Sequence, residues 1–222
     1  MASKAGIGEM RTAGVAAAYD RWAPIYDLVF GKVFTAGRSE AIVAAEAAGG
    51  LPSPRVLEVG VGTGISLPQY RRSTRLVGTD IADAMLDKAR RRVRELRLDN
   101  VEDILVMDAE AMTFPDDSFD VVVAQYVVTA CPSPEAALDE FVRVVRPGGE
   151  IVITTRIGAG TGLRGTIEKA LMPLTSRLGW RTEFPWHRYE DWAAGNGRVE
   201  LLENRPLPPL GHFSLVRYRK RG

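Results

Sequence analysis

A run of apolar, β-branched residues that ends in a glycine-rich turn constrains the fold of this chain more than any other feature. The run begins at Val56 and passes directly into Gly60, Gly62 and Gly64. A strand that leads through such a turn toward a helix is typical of the nucleoside-binding corner of a doubly wound sheet. Glycine is needed there because the turn requires unusual dihedral angles and because a ligand lies against bare backbone. The sequence therefore predicts an α/β fold with a ligand at this corner.

The spacing of the glycines distinguishes two classes of ligand. Dinucleotide-binding turns read G-x-G-x-x-G, whereas this turn reads G-x-G-x-G, with Glu58 two residues before the first glycine. A carboxylate beside the turn repels a pyrophosphate and favours a cationic ligand. The pattern resembles motif I of the class I S-adenosylmethionine-dependent methyltransferases, whose cofactor carries an ammonium and a sulfonium. The other interpretation is a tight strand–turn–helix connection that binds nothing.

Length and composition indicate one globular domain. The 222 residues are enough for a single domain with its own core, and 29 basic residues are balanced by 28 acidic ones. This balance gives no reason to expect a nucleic-acid partner. Cys131 is the only cysteine, which excludes an intrachain disulfide and favours a reducing, cytoplasmic setting. The first residues lack the apolar core of a signal peptide, and no run approaches the roughly 20 residues of a spanning helix.

Strand and helix patterns alternate through the middle of the chain, which predicts a parallel sheet covered on both faces. Predicted strands after the glycine motif lie at 76–80, 104–107, 121–123 and 150–155, and predicted helices at 38–48, 82–96 and 134–145. Residues 146–149 are predicted to form a turn. Two closing strands are predicted at 199–204 and 213–218, joined by a stiff proline-rich loop at 205–210.

The second predicted strand ends in Asp80, about 20 residues after the first glycine, where an acid accepts hydrogen bonds from ribose hydroxyls. We include the adjacent Ile81 in this predicted cofactor site. Asp80 has a second interpretation, because an aspartate before a helix is also a good N-cap, and Asp83 is an equally good one.

The middle of the chain resembles the small-molecule methyltransferases of ubiquinone biosynthesis. The text D-A-E-x-x-x-F-P-D-x-S-F-D-V-V from Asp108 and the text R-V-V-R-P-G-G from Arg143 extend the resemblance over residues 55–155. It implies that Asp108 and Ala109 lie at the adenine and that Gln125 lies near the methionine moiety. Turn capping is the other interpretation of Asp108. No metal site is predicted.

Two flanking segments differ in character from this core. Residues 9–48 are predicted to form helices whose aromatic face includes Tyr19, Trp22 and Tyr26, interrupted at Pro24. These helices either pack on the core or form a lid over the cofactor. Residues 156–188 carry six basic and two acidic residues among many leucines. This segment is predicted to be either a surface-lying membrane helix or a helical cap with solvated arginines.

The flanks add a second resemblance, which reaches nearly the whole chain. The text Y-D-R-W-A-P-I-Y-D from Tyr19, the text N-R-P-L-P-P-L-G-H-F-S-L-V-R from Asn204 and the basic segment resemble the soluble-type bacterial phosphatidylethanolamine N-methyltransferases. The resemblance implies a single Rossmann-like class I methyltransferase domain with a seven-stranded, mostly parallel sheet, helices on both faces, one antiparallel strand and an N-terminal helical lid. It implies stepwise methylation of an ethanolamine lipid toward phosphatidylcholine. The enzyme is then expected to be cytoplasmic and peripherally bound to the anionic inner face of the membrane, with no protein partner inferred.

The predicted chemistry selects further candidates by residue type, although packing or solvated surface remains an interpretation of each. The attacking amine must be neutral, and an ethanolamine ammonium has a pKa of about 10, like lysine. Candidates for a base are Tyr19, Tyr26, Tyr126, His187 and His212. Aromatic residues that could face a methylated ammonium are Tyr19, Trp22, Tyr26, Tyr126 and Trp186. Candidates for binding the lipid phosphate are Arg156, Arg181, His187 and Arg188.

Three other functions remain open at this stage. The first is methylation of a soluble small molecule such as a quinone precursor, although the text after the fourth strand, from Tyr126 to Cys131, lacks the histidine usual in ubiquinone-type relatives. The second is nucleic-acid methylation, which is disfavoured because N-P-P-Y or a related text is absent there. The third is a sensor or scaffold that binds the cofactor or a membrane without catalysis.

Overall fold

A seven-stranded β-sheet is the centre of the computed structural model, which describes residues 34–156, 185–208, 211 and 213–222. The strand order is β3-β2-β1-β4-β5-β7-β6, and only β7 runs antiparallel to its neighbours. The strands are β1 (Arg55–Val59), β2 (Arg75–Asp80), β3 (Val101–Val106), β4 (Phe119–Gln125), β5 (Val145–Thr155), β6 (Val199–Leu207) and β7 (Phe213–Lys220). The predicted fold class and the single antiparallel strand are confirmed.

Helices cover both faces of this sheet. They are α1 (Thr35–Ala47), α2 (Asp83–Glu95), α3 (Pro134–Val144) and α4 (Trp186–Asn196), with short 3₁₀ turns at Ala48–Gly50 and Leu67–Gln69. Successive residues of a strand point to opposite faces. Val56 therefore packs with the buried residues of α1 and α2, whereas Leu57 packs with those of α3 and α4. Both faces of β1 and β4 are buried, which explains their nearly continuous apolar sequences.

Three sequence predictions differ from the structure. The strand β5 begins at Val145, so the predicted turn at 146–149 is an irregularity inside the strand, where the register with β4 jumps from Val145 to Glu150 and Gly148 has a φ of 77°. The strand β6 extends to Leu207, so the first residues of the loop predicted at 205–210 belong to a strand. Pro206 pairs with Ser214 there, and it can do so without an N–H because β6 lies at the sheet edge. The helix α4, which carries the candidates Trp186, His187 and Arg188, was not among the predicted helices.

The predicted lid at 9–48 is described only from residue 34 onward, and α1 is its one described helix. A chain of ion pairs connects α1 to the antiparallel end of the sheet. Arg205 links Glu40 of α1 at 2.6 Å to Glu203 at 2.5 Å, and Arg217 links Glu203 at 3.1 Å to the buried Glu150 at 2.6 Å. These contacts fix α1 relative to β5, β6 and β7.

Among the described helices, none is both long enough and apolar enough to cross a lipid bilayer.

Candidate active site

The carboxyl ends of β1, β2 and β4 meet at one edge of the sheet, where ligands of doubly wound folds bind. The order in which the chain adds strands to the sheet changes direction at β1, because β2 lies on one side of β1 and β4 lies on the other. The glycine turn follows β1, Asp80 ends β2, and Gln125 ends β4. The structure therefore brings together three parts of the predicted cofactor site that lie far apart in the sequence.

The three glycines of the turn have different surroundings although all have positive φ values of 69°, 54° and 71°. A Cβ atom on Gly60 would lie 2.0 Å from Cγ2 of Val127, and one on Gly64 would lie 3.0 Å from Cβ of Ala89 in α2. A Cβ atom on Gly62 would meet nothing within 4 Å. Gly60 and Gly64 are thus required for internal packing, while Gly62 leaves open space where a ligand can approach the backbone.

Asp80 connects this turn to the following helix. Its Oδ2 accepts a hydrogen bond from the backbone nitrogen of Gly62 at 2.9 Å, and its Oδ1 accepts one from the backbone nitrogen of Ala82 at 3.0 Å. Ala82 is itself the N-cap residue of α2, and the helix start has no side-chain cap hydrogen bond, so Asp80 contacts the N-cap nitrogen but is not the N-cap that the alternative interpretation required. Each carboxylate oxygen has a second lone pair, so ribose binding by the same side chain stays a prediction. Ile81 is partly buried beside it.

Glu58 is a buried carboxylate beneath the turn, with 2% of its surface exposed. Its Oε1 accepts hydrogen bonds from the Ser66 hydroxyl at 2.5 Å and from Nε2 of Gln125 at 3.5 Å. Its Oε2 is buried and has no hydrogen-bond partner among the described residues. Burial raises the pKa of Glu58, and the hydroxyl groups of Ser66 and Tyr70 and the positive charge of Arg38 partly oppose that rise. The buried Tyr70 hydroxyl is thus close to Glu58, although its geometry does not make a hydrogen bond to Oε2. An acid of this kind is stabilised when a cationic group reaches its open oxygen.

These features fit an adenosyl cofactor with a cationic amino-acid end. Gly62 leaves the backbone accessible, Asp80 stands at the end of β2, and the open oxygen of Glu58 can accept an ammonium hydrogen. Gln125 contacts Glu58, and its position near the methionine moiety stays a prediction.

Asp108 and Ala109 follow β3 at the same edge and are partly buried. Oδ1 of Asp108 accepts a hydrogen bond from the backbone nitrogen of Glu110 at 2.9 Å, and its carbonyl accepts one from the nitrogen of Ala111. The aspartate therefore does cap its own turn. Contact of Asp108 and Ala109 with an adenine stays a prediction.

Tyr126 follows β4 with a φ of 63°, in the left-handed region that a bulky residue rarely occupies. Its ring packs against Phe34 with centroids 4.2 Å apart and against Phe213 with centroids 5.1 Å apart. A Cβ atom on Gly37 would lie 2.1 Å from the Tyr126 hydroxyl, so only glycine fits there in α1. Such strained residues cluster at functional sites. Sequence analysis missed Phe34 and Phe213, because only the folded chain brings these three aromatic rings together.

The candidates on α4 lie in a different environment. Trp186 stacks on the buried Tyr189 with centroids 5.8 Å apart, and His187 is exposed. Arg188 donates hydrogen bonds to both carboxylate oxygens of Glu135 in α3, at 2.5 to 2.8 Å. A lipid phosphate at Arg188 would have to share that guanidinium with Glu135.

The remaining candidates are at or beyond the limits of the described chain. Arg156 directly follows β5 and is partly buried. Tyr19, Trp22, Tyr26, Arg181 and His212 lie outside the described residues, so their predicted roles are not tested.

Comparison with known proteins decides the family. Residues 57–153 match a family model described as a methyltransferase domain. The chain is also 40% identical over 212 residues to the phosphatidylethanolamine N-methyltransferase of Cereibacter sphaeroides, an alignment that covers 96% of this chain and 100% of that protein. The chain belongs to the class I methyltransferase family.

Two further similarities are consistent with this methyltransferase assignment. A demethylmenaquinone methyltransferase of Renibacterium salmoninarum is 34% identical over 63% of this chain and 57% of its own length. The structure of phosphoethanolamine N-methyltransferase 2 of Haemonchus contortus, solved with S-adenosyl-L-methionine, superposes with a TM-score of 0.71 at 18% identity. That superposition covers 91% of this chain and 57% of the other, and it shows a shared fold.

The contrast between Gly62 and Gly64 yields a prediction about this methyltransferase. Gly62→Ala is expected to weaken S-adenosylhomocysteine binding at least tenfold, because the new methyl group enters the open space. The free energy of unfolding should fall by only about 1–2 kcal/mol, which is the cost of an alanine in the left-handed conformation. Gly64→Ala should add about 1–3 kcal/mol of overpacking against α2. Urea unfolding and calorimetric titration measure both effects. Wild-type affinity in Gly62→Ala would show that the ligand does not approach this part of the turn.

The raised pKa of Glu58 yields a second prediction. A carboxyl group whose pKa is raised in the folded state stabilises the fold most below its ordinary value of 4.5, and this contribution is lost as the pH rises through the raised pKa. In Glu58→Gln no charge has to be buried, so stability does not fall as the pH rises. The amide oxygen of the glutamine can still accept the Ser66 hydrogen bond. We therefore expect a ligand-free melting temperature a few degrees above wild type at pH 7.

The same Glu58→Gln variant should bind S-adenosylhomocysteine at least tenfold more weakly, because a cationic group loses its charged acceptor. Glu102→Gln is the matched control, since Glu102 forms a surface ion pair with Arg75 at 2.6 Å. That control should leave affinity unchanged and alter stability by less than about 1 kcal/mol. A lower melting temperature with unchanged affinity in Glu58→Gln would contradict the prediction.

Proposed function

We propose that this methyltransferase transfers methyl groups from S-adenosylmethionine to the amino group of phosphatidylethanolamine, toward phosphatidylcholine. The observation that carries the proposal is the end-to-end similarity to a protein of that name, at 40% identity over 96% of this chain. The alignment extends well beyond residues 57–153, which the general methyltransferase model covers. It therefore includes the flanking segments that sequence analysis connected with the lipid.

The cofactor supplies a methyl group on a sulfonium, which a neutral amine can attack directly. Glu58, with its open Oε2, is proposed to accept the cofactor ammonium, and the Gly62 backbone is proposed to lie against the cofactor. Asp80 is proposed to bind the ribose hydroxyls in addition to its two backbone contacts. Asp108 and Ala109 are proposed at the adenine, and Gln125 at the methionine end.

Tyr126 and its aromatic neighbours are proposed to receive the substrate amine. They lie beyond the carboxyl end of β4, next to the proposed cofactor site, and Tyr126 is held by Phe34, Phe213 and Gly37. Aromatic faces bind methylated ammonium groups through cation–π attraction. Correct placement of the nitrogen alone supplies much of the rate enhancement in a displacement reaction. Tyr19, Tyr26 and His187 are further candidates for proton acceptors, and Trp22 and Trp186 for the aromatic wall.

The reaction is proposed to take place at the cytoplasmic face of an anionic membrane, to which the enzyme binds peripherally. Six basic and two acidic residues in the sequence from 156 to 188 support this proposal. Each basic residue close to an anionic surface contributes about 1 kcal/mol of attraction. Arg156, Arg181 and Arg188 are proposed to contact the lipid phosphate.

A second candidate function is methylation of a small molecule other than a phospholipid. The similarity to a demethylmenaquinone methyltransferase, at 34% identity over 63% of this chain, favours it. That alignment covers a smaller part of this chain than the phosphatidylethanolamine relative does, so we place the lipid first.

Transfer of labelled methyl groups from S-adenosylmethionine to phosphatidylethanolamine in mixed vesicles tests the proposal. We expect labelled lipid with the wild type and loss of at least 99% of the rate in Gly60→Arg, whose side chain would collide with Val127. Asp80→Ala should lose at least 90%, since both its backbone contacts and its proposed ribose contact disappear. Asp83→Ala, an exposed acid three residues later, is the matched control and should keep most activity.

Labelled phospholipid would support the proposal. Binding of S-adenosylhomocysteine without any lipid labelling would overturn the lipid substrate and move the second candidate to first place.

Vesicle flotation tests the membrane part separately. The wild type is expected to float with phosphatidylglycerol-containing vesicles at 50 mM salt and to dissociate as the salt rises, because surface charge attraction is screened. Vesicles of pure phosphatidylcholine should recover much less protein. Equal recovery from both lipids, or none from either, would contradict binding to an anionic surface.

A further inference from the structure

Three aromatic rings from distant parts of the chain pack together beyond the carboxyl end of β4. Tyr126 follows β4, Phe34 directly precedes α1, and Phe213 is the first residue of β7. The Tyr126 ring centroid lies 4.2 Å from that of Phe34 and 5.1 Å from that of Phe213, and the two phenylalanine centroids lie 5.5 Å apart. All three side chains are partly buried. Each ring is therefore in contact with both of the others.

These separations restrict what the two phenylalanines can do. Aromatic rings whose centroids are less than about 7 Å apart are direct packing partners. A methylated ammonium is too large to enter between two rings that already touch. Phe34 and Phe213 therefore act on Tyr126 itself and do not enclose a ligand between them and its ring.

Tyr126 needs such support because its backbone is strained. Its φ of 63° lies in the left-handed region, although its N–H still donates a hydrogen bond to the Thr154 carbonyl of β5 at 2.7 Å. A bulky residue keeps this conformation only where its surroundings hold it there. The bond to β5 fixes the backbone, and the close approach of Gly37 in α1 to the Tyr126 hydroxyl limits the far end of the side chain. The two phenylalanine rings fix the part between.

We propose that Phe34 and Phe213 are positioning residues that hold the Tyr126 ring in one orientation at the acceptor side of the active site. The inference rests on the proposed function, in which Tyr126 receives the substrate amine, and deepens it. A displacement of about 1 Å in a group that orients a reactant can lower the rate about a hundredfold. Loss of either phenylalanine should therefore affect turnover more than it affects the cofactor.

Phe213→Leu and Phe34→Leu each keep an apolar side chain and remove the ring. In the vesicle assay, kcat should fall at least tenfold in each variant, while calorimetric affinity for S-adenosylhomocysteine stays within twofold of the wild type. Phe213→Tyr restores a ring and should recover most of the rate. Phe114→Leu is the matched control, because Phe114 makes a similar edge-to-face pair with Phe119, 5.0 Å away, at the opposite end of β4. It should leave kcat unchanged.

A double-mutant cycle separates positioning from simple packing. If Phe213 acts through Tyr126, Phe213→Leu should change the remaining kcat less than twofold in a Tyr126→Ala background. The same fold-loss in both backgrounds would show that the ring only fills space and would overturn the inference. Wild-type kcat in both leucine variants, or an equal loss in Phe114→Leu, would also overturn it.

Fluorine NMR of the full chain labelled with 3-fluorotyrosine tests the inference without any substrate. Tyr126→Phe identifies the Tyr126 signal by its disappearance. This signal should broaden or split in Phe34→Leu and Phe213→Leu, because the ring then samples more than one orientation, and it should keep its width in Phe114→Leu. A single signal of wild-type width in both variants would show that Tyr126 is held without the phenylalanines and would overturn the inference. Broadening in an enzyme that never labels phosphatidylethanolamine would leave the phenylalanines assigned and the lipid substrate wrong.

Discussion

The hydrogen bond from the Gly62 backbone nitrogen to the Asp80 carboxylate, at 2.9 Å, is the contact on which the rest of the site depends. It joins the turn after β1 to the end of β2, and the second oxygen of the same carboxylate accepts a bond from Ala82 at the start of α2. Hydrogen bonds to charged groups contribute about 1.5–3 kcal/mol each. That is enough to offset the conformational entropy that the glycines of this turn lose on folding. One side chain therefore holds the turn in the conformation that leaves open space at Gly62.

Two unfavourable features lie around this turn. Glu58 has a buried oxygen without a hydrogen-bond partner among the described residues, and Tyr126 adopts a left-handed conformation. Each is expected to destabilise the ligand-free fold by about 1–3 kcal/mol. The strands β1 and β4, which are buried on both faces, supply the compensating stability. Local violations of folding rules that cluster at one edge of an otherwise regular sheet are characteristic of a functional site.

The sequence predicted the parts of this structure that depend on local patterns. The apolar run before Gly60, the acid at Asp80 and the alternation of strands and helices gave the fold and the position of the glycine turn, since each reflects a short stretch of chain. The helix α4 was missed because its apolar residues, such as Tyr189 and Trp192, are too few for a clear period. The extension of β6 through Pro206 was missed because proline normally indicates a loop. The contact of Phe34 with Tyr126 could not be predicted, because it depends on how α1 docks.

That docking brings the two flanks of the chain together at Tyr126. The residues common to methyltransferases, 57–153, provide the glycine turn and Tyr126. Phe34 comes from the segment before this region, and Phe213 comes from the segment after it. The ion pairs from Glu40 through Arg205 to Glu203 connect these two segments at the surface. The aromatic rings that pack against Tyr126 are thus supplied by the flanks. A relative that matches nearly the whole chain, flanks included, is for that reason a better guide to the substrate than one that matches 63% of it.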